Sequence, residues 1–484
     1  MPNEAAPKEH KAQQQAFSST EGTIRSNSGT VLLLCGIACF WSVISQNIKD
    51  ASTARLSMSR FKQARKYLLP ALLIAILTVS IFSLHVFLAA SKQPKTSSIP
   101  YVGIAFCGNN TAEAKLLIDR AKTYTNLFIL NTARGNPISE NQSNVEEICD
   151  YAVAEGLSII INLGVRGTGE SEISWFWQQS LKDIKGNWSQ RWGNKFLGIY
   201  YNDEPGGIQL DGTWAEWFPR NAQRLRDSNE PALSDLNAIY LAMLDSMYNG
   251  TKPSKDYDLE THFYVQHVLV EDPGLSALKT SQITSFTSDY GLYWYDYLGG
   301  YDVMFAEAGW NCSLAQQIAL VKGAARLQNK PWGLMITWKY NGTPYLDAGD
   351  EIYNQMLMGY QAGAKYIAIF NYPTDGNGYG VMDAQHFVAL ERFWNDIHQK
   401  SFEDLSLPAA ALVLPHNYGW GMRYPNDTIW GFWSTDDRTE QTAITMSRLL
   451  ARYGTSLDII YEDALYPVGL GSYKTVYYWN TTAL

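Results

Sequence analysis

The sequence predicts an α/β fold, a (β/α)8 TIM barrel in which eight parallel strands close into a cylinder that helices surround. Beyond residue 100, apolar runs of strand length alternate with helical patterns, and eight such pairs occur in about 300 residues. Most of the runs are apolar on both faces, as strands of a parallel sheet are. Because eight units are the number at which such a sheet closes, we expect a barrel rather than an open, doubly wound sheet.

The barrel is predicted to occupy residues 101–400, after a short polar linker at 92–100. The connection between its fourth and fifth strands is too long for an ordinary loop, which predicts an insertion over 249–281 with a strand-like piece at 262–270. After the barrel, apolar strands around a helical pattern predict a small α/β accessory domain over 409–484. The barrel strands are expected at 102–107, 127–132, 158–163, 197–202, 283–288, 303–306, 333–338 and 366–371.

An N-terminal transmembrane anchor is predicted at residues 67–90, which contain no acidic or basic residue apart from His85 and are long enough to cross a bilayer. The preceding stretch has a single acid, Asp50, and six basic residues: Lys49, Arg55, Arg60, Lys62, Arg65 and Lys66. The positive-inside rule therefore predicts that this stretch is cytoplasmic and that the main domain is extracellular. The membrane is an expected partner of the chain.

The residues before this helix allow two interpretations. Residues 30–45 are either a second membrane span or an apolar stretch of an extended N-terminus, because Met58 also begins a complete signal-anchor pattern. Residues 1–29 are expected to be a disordered polar tail. Eight N-x-S/T sequons follow the predicted helix and favour an extracellular glycoprotein: Asn109, Asn141, Asn187, Asn249, Asn311, Asn341, Asn426 and Asn480.

Charge, cysteine and histidine usage exclude several classes of function. The net charge of −9 argues against nucleic acid as a partner. Only Cys107, Cys149 and Cys312 follow the predicted helix, so at most one internal disulfide is expected. The histidines are scattered, and His262 and His267 would face opposite sides of a strand, so neither a metal nor a cofactor is predicted.

Two glutamates follow predicted strands, Glu204 after the fourth and Glu307 after the sixth. The carboxyl ends of all barrel strands face one mouth, so we expect these two side chains to lie close together. Two carboxyl groups across a sugar are what glycosidic cleavage requires, one as the proton donor and one as the nucleophile or base. The alternative for Glu307 is a buried ion pair with Lys339 or Arg166.

Further polar and aromatic residues at the same strand ends are candidates for binding the substrate. Flat aromatic rings cover the C–H faces of a pyranose, although most tryptophans of the chain are expected in the core. Neighbouring strand residues face opposite sides, so Asp203 faces the mouth with Glu204 only where the chain has already turned. The candidate set is Asn202, Asp203, Asp289, Trp310, Trp338, Lys339 and Asp375.

Residues 202–205, Asn-Asp-Glu-Pro, resemble the fourth-strand motif of retaining TIM-barrel glycoside hydrolases, in which a glutamate after an asparagine is the acid/base. The resemblance covers roughly residues 100–400 and implies a membrane-anchored glycosidase with Glu204 in that role. One residue is inserted between the asparagine and the glutamate. The seventh strand ends Thr-Trp-Lys at 337–339, without the acid that is the nucleophile of that clan, so the second carboxylate is assigned to Glu307.

The function expected from these residues is hydrolysis of an extracellular or cell-surface glycan at the barrel mouth. A non-catalytic carbohydrate-binding or surface-scaffold protein is the alternative, because the seventh strand lacks its acid and barrels host many functions. Catalytic turnover by the purified chain distinguishes the two.

Overall fold

The computed structural model describes residues 99–132, 135–166, 173–212, 255–309, 312–340, 342–373, 378–469 and 472–481. Within them, eight parallel strands close into a barrel in which the strand order follows the chain. The predicted barrel is therefore confirmed. The strands are β1 (Tyr101–Phe106), β2 (Leu127–Asn131), β3 (Ser158–Asn162), β4 (Phe196–Tyr200), β5 (Ser285–Asp289), β6 (Val303–Ala308), β7 (Trp332–Ile336) and β8 (Tyr366–Asn371).

The helices of the described residues surround this barrel and extend beyond it. They are α1 (Thr111–Ala121), α2 (Gln142–Ala154), α3 (Ser174–Trp177), α4 (Leu181–Trp192), α5 (Pro205–Leu210), α6 (Tyr257–His262), α7 (Pro273–Thr280), α8 (Tyr293–Gly299), α9 (Leu314–Leu327), α10 (Gly349–Gln361), α11 (Ala384–Gln399) and α12 (Asp437–Tyr453). Short 3-10 turns span Gly193–Lys195 and Gly454–Ser456.

Two apolar layers hold the barrel together. Alternate residues of the strands fill its interior, for example Ile129, Ile160 and Phe305, while the residues between them pack against the helices. Burial from both sides explains why the strands are continuous apolar runs. The strands also approach each other closely at Gly103, where a Cβ atom would overlap the carbonyl oxygen of Leu127.

The strand-like piece predicted at 262–270 is wrong. These residues continue α6 as a π-helix over Phe263–Val270, after Asp256 caps the helix by accepting from the backbone N–H of Leu259. The barrel is closed, so it offers no free strand edge on which this apolar segment could pair its backbone, whereas a helix pairs its own. His262 and His267 consequently do not face opposite sides of a strand, and their ring centroids lie 5.4 Å apart.

The residues after the barrel form a three-stranded parallel sheet of β9 (Ala410–Leu414), β10 (Leu457–Tyr461) and β11 (Thr475–Tyr478), in the order β10-β9-β11. Helix α9 of the barrel packs directly on β10. At Gly323 of α9 a Cβ atom would overlap the carbonyl oxygen of Ile459. Residues 98–484 form one compact unit, so the sheet is an integral part of the barrel's surface.

Lys322, Arg326 and Asp458 form an ion-pair cluster at this contact. The Nζ atom of Lys322 lies 3.2 Å from Asp458 Oδ1, and Nε of Arg326 donates to Oδ2 at 2.7 Å. The side chains of Lys322 and Asp458 are only 2% and 0% exposed. A buried charge pair of this kind fixes the position of the sheet on α9, because neither charge is stable without the other.

The predicted transmembrane helix at 67–90, the apolar segment at 30–45 and the polar tail at 1–29 lie outside the described residues. Among the residues that are described, no helix is both long and apolar enough to span a membrane. Cys107, Cys149 and Cys312 are free thiols.

Candidate active site

Glu204 lies in a sharp turn between β4 and α5. The strand ends at Tyr200, and both Asn202 (φ 53°) and Glu204 (φ 50°) adopt the left-handed backbone region. This conformation is unfavourable for residues with a Cβ atom and persists where the surroundings hold it, which is typical of functional sites. The chain has therefore already turned at Asp203, so the alternation of a strand no longer separates it from Glu204.

The end of β5 holds this turn in place through three successive residues. The hydroxyl of Thr287 donates to the carbonyl oxygen of Asn202, and the N–H of Glu204 donates to the carbonyl oxygen of Ser288 at 3.1 Å. The carboxylate of Asp289 accepts from the first free N–H groups of α5, those of Gly206 at 2.6 Å and Gly207 at 3.0 Å. Asp289, a candidate for substrate binding in the sequence, thus caps α5.

Glu307 lies near the end of β6 and is only 4% exposed. Val303 and Phe305 point into the barrel, so the alternation of the strand places Glu307 on the same inner side. Its Oε1 atom accepts a hydrogen bond of 2.6 Å from the hydroxyl of Ser288. Glu307 therefore approaches the mouth from within the barrel.

A hydrogen-bonded chain connects Asp203 with Glu307. The hydroxyl of Tyr200 donates to Asp203 and lies 2.7 Å from the hydroxyl of Ser288, which in turn donates to Glu307. Asp203 remains accessible to solvent, but protein atoms surround its carboxyl group and this desolvation raises its pKa. Tyr200 and Ser288 were not among the residues predicted from the sequence, although both are the last inward-facing residues of their strands.

The carboxyl groups of Glu204 and Glu307 are electrostatically coupled. Burial raises the pKa of Glu204 to about 7, and the neighbouring charge of Asp203 acts in the same direction. Burial also raises the pKa of Glu307 well above its usual range, and Glu204 adds to this effect. Glu307 in turn lowers the pKa of Glu204, although the Oε2 atom of Glu307 has no hydrogen-bond partner among the described residues. Because the two groups are coupled, they titrate as a pair rather than independently.

The alternative of an ion pair for Glu307 is not supported by the positions of the two proposed cations. Lys339 lies 3.0 Å from Asp347, and the guanidinium of Arg166 donates to the carbonyl oxygen of Pro273 at 3.4 Å. Both basic side chains therefore have other partners. Glu307 is a buried carboxyl group whose neighbouring charges are acidic, which is an arrangement found at acid/base sites.

Aromatic side chains follow β7 and β8 at the same end of the barrel. The ring of Trp338 lies 4.9 Å from that of Tyr372 and 5.8 Å from that of Tyr345. Tyr340 and Tyr372 are 44% and 45% exposed, so part of this group is available to a ligand. Trp177, Trp188 and Trp192, by contrast, are buried in the core. Trp310 and Asp375, two further candidates, lie outside the described residues.

Metal-binding side chains do not cluster in the described part of the chain, where no three His, Cys, Asp or Glu residues are arranged to hold an ion. The acidic residues of the site lie at the ends of three neighbouring strands and are connected by hydroxyl groups. Their chemistry is that of carboxyl groups that exchange protons and attack an electrophile.

No protein-family model and no curated protein matches the chain. Solved structures with a similar fold include a GH5_18 enzyme of Streptomyces cattleya in complex with GlcNAc, with a TM-score of 0.45 and 10% identity over 78% of this chain and 98% of that one. They also include a β-galactosidase of Halorubrum lacusprofundi, with a TM-score of 0.48 and 8% identity over 78% and 68%. A β-mannanase of Mytilus edulis has a TM-score of 0.35 and 9% identity over 63% and 94%.

With identities of 8–10% and TM-scores below 0.5, these similarities carry no conclusion about this chain. We therefore base the function on the residues of the site.

Proposed function

We propose that the protein is a glycoside hydrolase that cleaves a glycan with Glu204 and Glu307. The observation that supports this most strongly is the position of two desolvated carboxyl groups at the ends of β4 and β6, close enough for each to change the pKa of the other. Glycosidic cleavage requires one protonated and one ionised carboxyl group at the same bond. A coupled pair meets that requirement in the form in which Glu204 holds the proton and Glu307 is ionised.

In the proposed mechanism, Glu204 donates its proton to the glycosidic oxygen while the carboxylate of Glu307 attacks the anomeric carbon. The bond to the leaving sugar breaks, and a covalent glycosyl–enzyme ester forms. Water then attacks this ester, with Glu204 accepting the proton, and Glu307 leaves as a carboxylate. The coupling of the two carboxyl groups favours this retaining route, because inverting enzymes separate theirs by roughly 6.5–9.5 Å to admit a water molecule.

Neighbouring residues would position these groups and the sugar. The hydroxyl of Ser288 stabilises the ionised form of Glu307, since it donates to that carboxylate. Asn202 and Asp203 line the same turn as Glu204, and Lys339 follows β7 beside Trp338. We propose the aromatic group of Trp338, Tyr340 and Tyr372 as the surface on which a sugar ring stacks.

The test is hydrolysis of a panel of β- and α-linked oligosaccharides by the full-length chain over a range of pH. We expect release of reducing sugar from at least one linkage. Activity should fall as pH rises through about 7, because Glu204 must hold its proton to act as the acid and loses it in that range. Binding of a glycan that remains intact after long incubation would contradict the proposal and favour the non-catalytic alternative.

We also propose that the main domain lies outside the cell, tethered by the predicted helix at 67–90. The basic residues before that helix support this, as do the sequons after it. Five sequon asparagines that the structure describes are exposed, namely Asn109, Asn141, Asn187, Asn426 and Asn480. Protease added to intact cells should release a fragment of roughly 390 residues by cutting in the linker at 92–100. A domain protected until the membrane is permeabilised would place it inside.

A further inference from the structure

Residues 418–433, which we name the clamp segment, belong to the region after the barrel but pack around α5. The side-chain amide of Gln209 donates to the carbonyl oxygen of Trp430 at 3.0 Å. The hydroxyl of Thr428 donates to the carbonyl oxygen of Leu210 at 3.1 Å. The clamp segment thus contacts the helix that begins directly after Glu204, and Trp430 is fully buried in this contact.

Arg423 is the charged residue at the centre of the clamp segment. Its guanidinium binds the buried carboxylate of Asp427 through Nε and Nη2, each at 2.8 Å, and Nη1 reaches Asp211 at the end of α5 at 2.6 Å. It also lies 5.3 Å from the centre of the Tyr290 ring. That ring is packed against Gly207, where a Cβ atom would overlap it.

The side chain of Arg423 is 8% exposed, so its charge acts through protein rather than through water. Arg423 therefore contacts one group at each end of α5. These are the ring of Tyr290, which covers the first turn, and the carboxylate of Asp211, which directly follows the last residue of the helix. The clamp segment is itself attached to the barrel, because Gln316 of α9 donates to the carbonyl oxygen of Met422 at 2.5 Å.

We infer that the clamp segment is a working part of the active site, and that Arg423 is a positioning residue that holds α5 and the turn at Glu204 in place. The inference rests on the proposed role of Glu204 as acid/base. The region after the barrel then contributes to the active site in addition to packing against the barrel.

The sign of the effect on the pKa of Glu204 follows from the charges around it. Arg423 lowers the pKa of Glu204, whereas Asp211 raises it. The other groups that face Glu204 remain in place in both variants below. They are Asp203 in the same turn, Asp289 and Tyr290 at the end of β5, and Glu307 on β6.

The experiment compares two variants of the full-length chain. Arg423→Gln combined with Asp427→Asn removes both charges of the buried pair, which avoids leaving an uncompensated carboxylate. We expect the pKa of Glu204 to rise by about half a unit, less than the roughly 1–3 units of a direct ion pair. Asp211→Asn keeps Arg423 paired with Asp427, and we expect the pKa of Glu204 to fall.

The readout is titration of the Glu204 carboxyl carbon by NMR in protein labelled with 13C-glutamate, assigned by the signal that Glu204→Gln lacks. It requires no substrate, so it distinguishes failure of this inference from failure of the proposed function. With a substrate in hand, the alkaline limb of kcat/KM should move in the same opposite directions. Shifts of the same sign in both variants, or no shift in either, would overturn the inference.

Discussion

Glu307→Gln is expected to lower kcat by about 10⁴-fold or more, because the variant has no carboxylate to attack the anomeric carbon. Glu204→Gln should lower kcat by about 10²- to 10⁴-fold, the contribution of a positioned acid/base. The smaller loss is expected for substrates with good leaving groups, which need less protonation. The measurement is kcat on the best substrate of the panel, with each variant compared with the parent chain.

Asp302→Asn is the matched control for this pair. Asp302 immediately precedes the same strand as Glu307 but lies at its other end, beside Lys330. It should leave kcat within about twofold, since it touches neither carboxyl group of the site. Both glutamine variants should remain folded, and Glu307→Gln should be no less stable than the parent above neutral pH, because it removes a buried carboxylate. Parent-like activity in Glu307→Gln would exclude it as the nucleophile.

Asp458→Asn is expected to lower the free energy of unfolding by about 3–5 kcal/mol, because Lys322 then remains as a buried charge without its partner. Burial lowers the pKa of Lys322 while Asp458 raises it, so the charged form of the lysine depends on this contact. The measurement is urea unfolding followed by tryptophan fluorescence.

Glu147→Gln is the control for the stability experiment. It breaks the exposed ion pair in which Lys115 lies 2.6 Å from Glu147. Solvent screens such a pair, so the loss should be below about 1 kcal/mol. A loss in Asp458→Asn as small as in this control would mean that the cluster does not fix the sheet on α9.

The barrel was predictable because its signal is local. Each strand is an apolar run buried on both sides, and each is followed by a helical pattern, so a single pass along the chain finds all eight. The segment at 262–270 shows the limit of that signal. Its apolar residues suit a strand or a helix equally. In the fold they form a helix, because the closed barrel offers no free strand edge with which they could pair.

The placement of the acids was predictable in part. A carboxyl group after a parallel strand faces the mouth, and in the structure Glu204 follows β4 and Glu307 lies near the end of β6. Alternation along β5 could also have identified Ser288, two residues after the inward-facing Phe286. The left-handed turn at Glu204 and the role of Asp289 as a cap depend on contacts between strands, which a single strand's sequence does not show.

Arg423 could not be found from sequence at all. It lies 219 positions after Glu204 and reaches the site through the fold of the clamp segment, whose contacts with α5 involve backbone atoms as often as side chains. A contact with a backbone atom does not require a particular residue type, so a single sequence gives no sign of it. The region after the barrel was predicted as an accessory domain for the same reason.

The central claim is that Glu307 and Glu204 act as nucleophile and acid/base on one glycosidic bond. The most direct measurement is the mass of the full-length protein after incubation with an activated 2-deoxy-2-fluoro glycoside of the sugar that the panel identifies. This substitution slows hydrolysis of a glycosyl–enzyme ester, so the intermediate accumulates. We predict one added sugar on the peptide that contains Glu307, and none in Glu307→Gln. A label on another carboxyl group, or turnover with inversion and no label, would contradict the account.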